Sequence, residues 1–187
     1  LLNYHELQRG DRTKFDNNNI EFKDLSFSYG KATRDVSNTN VVEVDKKAAD
    51  NVSLKIKDGS MMAFVGPSGS GKSTLGKLIA GYWDPNEGSI TIGGHDMKEY
   101  SQEALNAEIA FVDQDTFLFD KSIRDNIRLG NLNATNDEVE EAAKKAGCHE
   151  FIMALPNGYE TMAGAAGGSL SGGERQRITI ARAMMKN

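Results

Sequence analysis

The sequence predicts an α/β fold, a strand-rich first part followed by a helical one. Three observations carry this expectation. The short apolar run Ser60–Val65 leads into the glycine loop Gly66–Ser73, and then into Leu75, Leu78 and Ile79 at i, i+3 and i+4. That succession reads as buried strand, turn and helix. Alternating apolar residues recur over Ile20–Tyr29, at Val52, Leu54 and Ile56, and at Ile90 and Ile92, the period of strands with one wet face. Beyond Gln114 the period becomes helical.

Taken in order, residues 1–19 are polar, end in Asp16-Asn17-Asn18-Asn19 and read as a linker. Ile20–Tyr29 holds two alternating stretches, and Lys31–Asp50 is a polar excursion around the short island Val41–Val44. Asp58-Gly59 turns the chain into the run before the glycine loop. After the first helix, Asp84–Gly88 is a turn, Gly93-Gly94 ends the next strand, and Ser101–Ala107 has the length of a short helix. Ile109–Val112 reads as another buried strand. Thr135 and Glu138 have capping-box spacing ahead of an apolar face of Val139, Ala142, Ala143 and Ala146, and Gly147 suits that helix's end. Glu140–Lys144 and Glu141–Lys145 pair at i, i+4 on its exposed side.

Composition narrows the function classes. The 187 residues suffice for one sizeable domain or a core with a subdomain. The net charge of −5 provides no global basic field for nucleic acid. A single cysteine, Cys148, excludes an intrachain disulfide and fits a reducing, cytosolic compartment. His5, His95 and His149 have no metal-ligand spacing. No apolar run reaches the roughly 18 residues of a membrane span, and Leu1–Glu6 lacks the flanks of a signal peptide.

Gly66-Pro67-Ser68-Gly69-Ser70-Gly71-Lys72-Ser73 fits the phosphate-binding pattern G-x-x-x-x-G-K-[ST]. Glycines let successive N–H groups turn toward phosphate oxygens. Lys72 supplies a cation for the β and γ phosphates, and the Ser73 hydroxyl is of the type that ligates Mg²⁺. A second stretch, Leu170–Arg177, places Ser171, Gly172 and Gly173 directly before a helical run with Ile178, Ala181 and Met185 on one face. Glu174 lies in that helix's first turn, where a negative charge meets the positive end of the dipole. This is a second helix start able to hold phosphate, and two copies of the chain facing each other could share one nucleotide between the two kinds of site.

On these residues the chain resembles the ATP-binding cassette family, the motor domains of ABC transporters. Gly66–Thr74 is similar to the family's Walker A loop, Leu170–Gln176 to its signature motif, and Gln114 to its Q-loop glutamine. The resemblance covers the chain from about Ile20 to the end. It implies a P-loop NTPase (RecA-like) α/β core with an antiparallel β subdomain and a helical subdomain, here 20–113 and 114–187, after a linker, 1–19, from a preceding membrane domain. It implies ATP and Mg²⁺ as cofactors, Ser73 and Gln114 as metal contacts, and Lys72, Gln114 and Ser171 in catalysis. By the same resemblance Tyr29 is the aromatic that stacks on adenine, a contact worth about 1–3 kcal/mol per base. Ser171, Gly172 and Gly173 contact the γ-phosphate held by a second cassette, identical or different, packed head to tail. A transmembrane domain is the other implied partner, nucleic acid is not, and the expected location is the cytoplasmic side of the membrane.

Gln114–Asp120, Ser122–Ile127 and Gly158–Thr161 resemble the exporter branch, in which Phe117–Phe119 lie near the membrane domain. There are two departures. Gly164-Ala165-Ala166-Gly167 stands where exporters carry Gly-Glu-Arg-Gly, and after Met185 no strand ending in Asp-Glu and no switch histidine follow. The expectation is a cassette truncated before Walker B, in itself inactive as an ATPase. The alternatives are a non-transport ABC ATPase acting on nucleic acid or ribosomes, or an ATP-binding module without turnover.

Overall fold

A computed structural model describes residues 7–30, 32–33, 43–44, 47–164 and 170–186. Two compact units, Leu1–Asn106 and Ala107–Asn187, divide the chain. The Ala165-Ala166 departure and the first part of the linker lie outside the described residues.

In the first unit, strands β1 (Ile20–Phe27), β4 (Ala49–Ile56), β5 (Glu87–Ile92) and β6 (His95–Asp96) form an antiparallel sheet in the order β4-β1-β5-β6. A two-residue pair, β2 (Ala32–Thr33) and β3 (Glu43–Val44), lies within the polar excursion. Phe22 of β1 stands opposite Leu54 on one side and Ile90 on the other. The two alternating stretches of β1 meet at Asp24, whose φ of 47° breaks the register and brings Leu25 and Phe27 inward together with Phe22. A bulge of this kind shifts the pleat by one residue, which is why a single period-two pattern fails across the strand.

The polar stretch before Ile20 is fastened along its described part. The Gly10 and Arg12 N–H groups donate to the carbonyls of Lys98 (2.7 Å) and Glu99 (3.0 Å). The guanidinium of Arg9, 7% exposed, pairs with Asp84 at 2.7 Å and also donates to Gln102 and to the Gly81 carbonyl.

Two expected elements differ. Ser60–Val65 and Ile109–Val112 are not strands, and neither joins a sheet among the described residues. Met61 is 100% and Val65 93% exposed, so the apolar run before the glycine loop is uncovered rather than buried. A strand exists only through its ladder. Apolar runs identify residues that prefer burial but not the neighbour that supplies the hydrogen bonds.

Helix α1 (Lys72–Ile79) follows the glycine loop, and α2 (Gln102–Glu108) runs across the division between units. The second unit is helical: α3 (Ile123–Arg128), α4 (Asn136–Lys145), α5 (His149–Ala154) and α6 (Gly172–Met184). Its core joins Leu118, Ile123, Ile127, Val139, Ala143, Ile152, Ile178 and Ala181. The capping box expected at Thr135 is present, with its N–H donating to Glu138 at 2.7 Å and its hydroxyl accepting from the Glu138 N–H. Cys148 is buried in this core, and burial pushes its thiol up to about 11.

One buried polar residue organises this unit. The Asn126 amide donates to the carbonyls of Phe119 (3.0 Å) and Ser122 (3.0 Å), and its oxygen accepts from the Phe119 N–H at 2.9 Å. Arg182 of α6 donates to the same side-chain oxygen at 2.9 Å and to the Asn126 carbonyl at 2.8 Å. Burial lowers the Arg182 pKa, and its hydrogen-bond partners among the described residues are carbonyl oxygens rather than carboxylates. Removing the hub strands several buried donors and acceptors at once. Asn126→Ala is expected to destabilise the chain by about 2–4 kcal/mol. Urea unfolding checks this, and a midpoint equal to that of the unsubstituted chain would refute the hub.

Candidate functional site

The glycine loop is closed by its own lysine. Lys72 Nζ donates to the carbonyls of Gly66 (2.9 Å) and Pro67 (2.7 Å) and to Ser70 Oγ (3.3 Å). The Ser70 N–H turns back to the Pro67 carbonyl, and Ser68 and Gly69 form the turn between them. Gly71, the N-cap of α1, sits at φ 85°, and a Cβ there would lie 2.0 Å from the Ala48 carbonyl oxygen. Only glycine meets both conditions.

The start of α1 differs from the other helix starts. Ser122, Thr135 and Ser171 cap α3, α4 and α6 through their side chains, whereas α1, capped by Gly71, has no side-chain cap, as α5 at Cys148 has none, and α1 alone of the two also lacks a first-turn acid. Every other described α-helix carries an acidic residue in its first turn; α1 has none. Its leading N–H groups and dipole are left without a local anion, beside a lysine, which is the electrostatics of a phosphate cradle. Ser73 is exposed at the second position of the helix, and Thr74 is buried.

Tyr29 lies beside this loop despite the long excursion that separates them in sequence. Its hydroxyl is 3.0 Å from Thr74 Oγ1. Phe27 and Trp83 flank its ring at 5.0 Å each, with interplanar angles of 84° and 89°. The ring is 56% exposed, so a flat base has room to lie on it. A cavity of about 560 Å³ opens along these rings, lined by Tyr29, Trp83, Asn86 and Lys98 among others, within the usual range for small-molecule sites.

The remaining predicted residues belong to the second unit. Gln114 is exposed, and its N–H bonds the Asp113 carboxylate at 2.8 Å. Phe117 and Phe119 are 56% and 47% exposed and meet edge to face, whereas Leu118 between them is buried. Ser171 caps α6 in a full capping box: its hydroxyl donates to Glu174 Oε2 at 2.8 Å and accepts from the Glu174 N–H. The Ser171 backbone N–H bonds the same carboxylate and, with the hydroxyl, lowers the Glu174 pKa. Gly172 and Gly173 have no internal need to be glycine. A Cβ at Gly172 would meet only the end of the Arg175 side chain at 3.9 Å, and one at Gly173 would meet nothing. The backbone at both positions is therefore open to close approach.

The sequence did not single out Trp83 or the Asn126–Arg182 pair. Trp83 stands 54 positions from Tyr29 and reaches it only through the turn after α1, a contact with no local pattern. Among the described residues no helix is long and apolar enough to cross a membrane, and no group of three His, Cys, Asp or Glu residues could hold a metal.

Comparison with known proteins places this geometry. A family model described as ABC transporter matches residues 49–187. The chain is 46% identical over 168 residues to an uncharacterized ABC transporter ATP-binding protein of Sinorhizobium fredii, which covers 90% of the chain and 26% of that relative. It is 44% identical to a putative multidrug export ATP-binding/permease protein of Bacillus subtilis (90% and 27%). It is 45% identical to an ATP-dependent lipid A-core flippase of Desulfotalea psychrophila (89% and 27%). A solved bacterial Atm1-family ABC exporter with ATP bound matches at a TM-score of 0.83 and 37% identity, over 95% of this chain and 29% of that one. The chain thus spans about a quarter of the length of these relatives. With the phosphate loop, the capped glycine helix and the antiparallel and helical parts in place, the chain belongs to the ABC transporter family and has its P-loop NTPase fold.

Proposed function

We propose that this chain is the ATP-binding part of an ABC exporter, coupling ATP binding and hydrolysis to movement of a substrate across a membrane. The uncapped, acid-free start of α1, with Lys72 folded over the loop, carries the reading. An arriving triphosphate takes the Lys72 amine from the Gly66 and Pro67 carbonyls, trading neutral acceptors for charged ones. Tyr29 receives the adenine ring. Mg²⁺, when bound, would supply charge neutralisation to the phosphates. The Ser73 hydroxyl, exposed at the start of α1, would be its protein contact in the first unit, and an ion that keeps its waters and phosphate oxygens needs few protein donors.

Ser171, Gly172 and Gly173 serve a nucleotide on a second cassette packed head to tail. In that complex the Ser171 hydroxyl turns its proton from Glu174 to the γ-phosphate, and the bare glycines let the phosphate approach the helix start. The exposed Phe117 and Phe119 face a transmembrane partner, on the cytoplasmic side. The relatives named as a multidrug export protein and a lipid flippase, and the solved exporter, favour export. For these 187 residues alone the expectation is nucleotide binding without turnover.

Lys72→Ala is expected to weaken Mg-ATP binding at least about tenfold, read by calorimetric titration; undiminished affinity would sink the phosphate-site assignment. Ser171→Arg is expected to leave nucleotide affinity of the single chain unchanged and to abolish ATP-driven dimerisation of the complete transporter's cassettes. Light scattering reads the outcome, and dimers at the normal ATP concentration would contradict the shared-site arrangement.

A further inference from the structure

We infer that Trp83 is the positioning residue for Tyr29, holding its ring in the orientation that receives the base; this rests on the reading of Tyr29 as the base platform. The Tyr29 ring is held at three points, one of them the buried Phe27 ring at the end of β1, at 5.0 Å and 84°. Its hydroxyl bonds Thr74, at the start of α1. Its ring meets Trp83, just past the end of the same helix, at 5.0 Å and 89°. Side chains more than half exposed move freely among rotamers unless neighbours limit them, and Tyr29 is 56% exposed. The hydroxyl bond fixes the tip of the ring, and Phe27 and the perpendicular indole limit its swing; of the two rings only Trp83 is carried by a different segment of the chain.

Trp83 can serve as a wall because its own position is fixed from several sides. The end of α1 is closed by the Gly81 N–H to the Leu78 carbonyl (3.1 Å) and the Tyr82 N–H to the Lys77 carbonyl (3.1 Å). The next residue, Asp84, is clamped by the buried Arg9. Asn86 ties the same turn to the end of β1, its N–H donating to the Ser26 carbonyl at 2.9 Å and its side-chain oxygen accepting from the Ser28 N–H at 2.6 Å. The indole also packs on the buried Phe27 ring at 6.0 Å and on Tyr82 at 6.3 Å. The turn bearing Trp83 and the strand end bearing Tyr29 therefore move as one body, and affinity gained by stacking requires no ordering of the ring at the moment of binding.

The test compares ATP with inorganic triphosphate, which has phosphates and no base, by calorimetry on the chain and on Trp83→Ala, Trp83→Phe and Tyr29→Ala. Expected is a fall of about five- to tenfold in ATP affinity for Trp83→Ala, unchanged triphosphate affinity, and ATP affinity within about twofold of normal for Trp83→Phe, whose ring keeps an edge-to-face contact. Equal losses for both ligands, or no loss for Trp83→Ala where Tyr29→Ala loses ATP, would overturn the positioning role and leave the platform standing. If Tyr29→Ala binds ATP as tightly as the unsubstituted chain, the platform reading itself fails, and this inference with it. Because Trp83 is the single tryptophan of the sequence, its emission gives a reading without substitution. ATP is expected to change it and triphosphate to leave it unchanged; an emission indifferent to ATP counts against the inference.

Discussion

Every α-helix begins with amide donors that lie outside its own hydrogen-bond ladder, and this chain treats those donors in two opposite ways. At α3, α4 and α6 a serine or threonine accepts them, and an acidic residue follows in the first turn. At α1 the cap is a glycine, the first turn has no acid, and the first residue is a lysine. The second arrangement is the less stable one for an isolated helix, since a glycine cap forgoes roughly a few tenths of a kcal/mol and the lysine puts a cation at the positive end of the dipole. The neighbours of the loop are arranged around that choice: Ala48 forces glycine at position 71, Lys72 folds onto the loop carbonyls, and Thr74 holds Tyr29 alongside.

The two glycine-lined helix starts are chemically different. The α1 start is open to an anion. The α6 start already has one, the Glu174 carboxylate, accepting from the Ser171 N–H and hydroxyl. A phosphate at α6 therefore competes with an internal carboxylate, whereas a phosphate at α1 competes only with neutral carbonyls. Under the shared-site reading this orders events: the nucleotide settles first on the α1 loop of one chain, and the α6 start of another responds to it second, after giving up part of its own capping box.

The local elements were legible in the sequence because their causes are local. Spacing alone marked the capping box at Thr135 and Glu138, the glycine-to-lysine loop, the helix after Ser171 and the alternation of β4 and β5. What the sequence misplaced or missed depends on partners far along the chain. Ser60–Val65 and Ile109–Val112 have strand composition, but composition does not supply a ladder, and Met61 and Val65 stand exposed. The break in β1 comes from one positive φ at Asp24. Asn126 looks like any polar residue in a short helix until Arg182 and the carbonyls of 119–122 surround it. The polar run before Ile20 has linker composition, yet Arg9 and the 98–101 backbone hold it down.

The Asn126–Arg182 hub gives the second unit a specific mechanical connection. The segment 117–122 carries the exposed Phe117 and Phe119, and α6 begins with Ser171. Arg182 donates to the Phe117 carbonyl at 3.2 Å, lies over the Phe119 ring at 5.7 Å and bonds Asn126 twice. One of these bonds joins α6 directly to the loop at Phe117, and two join it to Asn126 of α3, whose side chain in turn holds the loop at Phe119. Packed interiors transmit displacement because they have little free volume to absorb it. The two exposed rings and the helix capped by Ser171 therefore share one packed, hydrogen-bonded neighbourhood. If the rings meet a membrane partner and Ser171 meets a phosphate, the hub is a hydrogen-bonded route between the two events among the described residues of this unit.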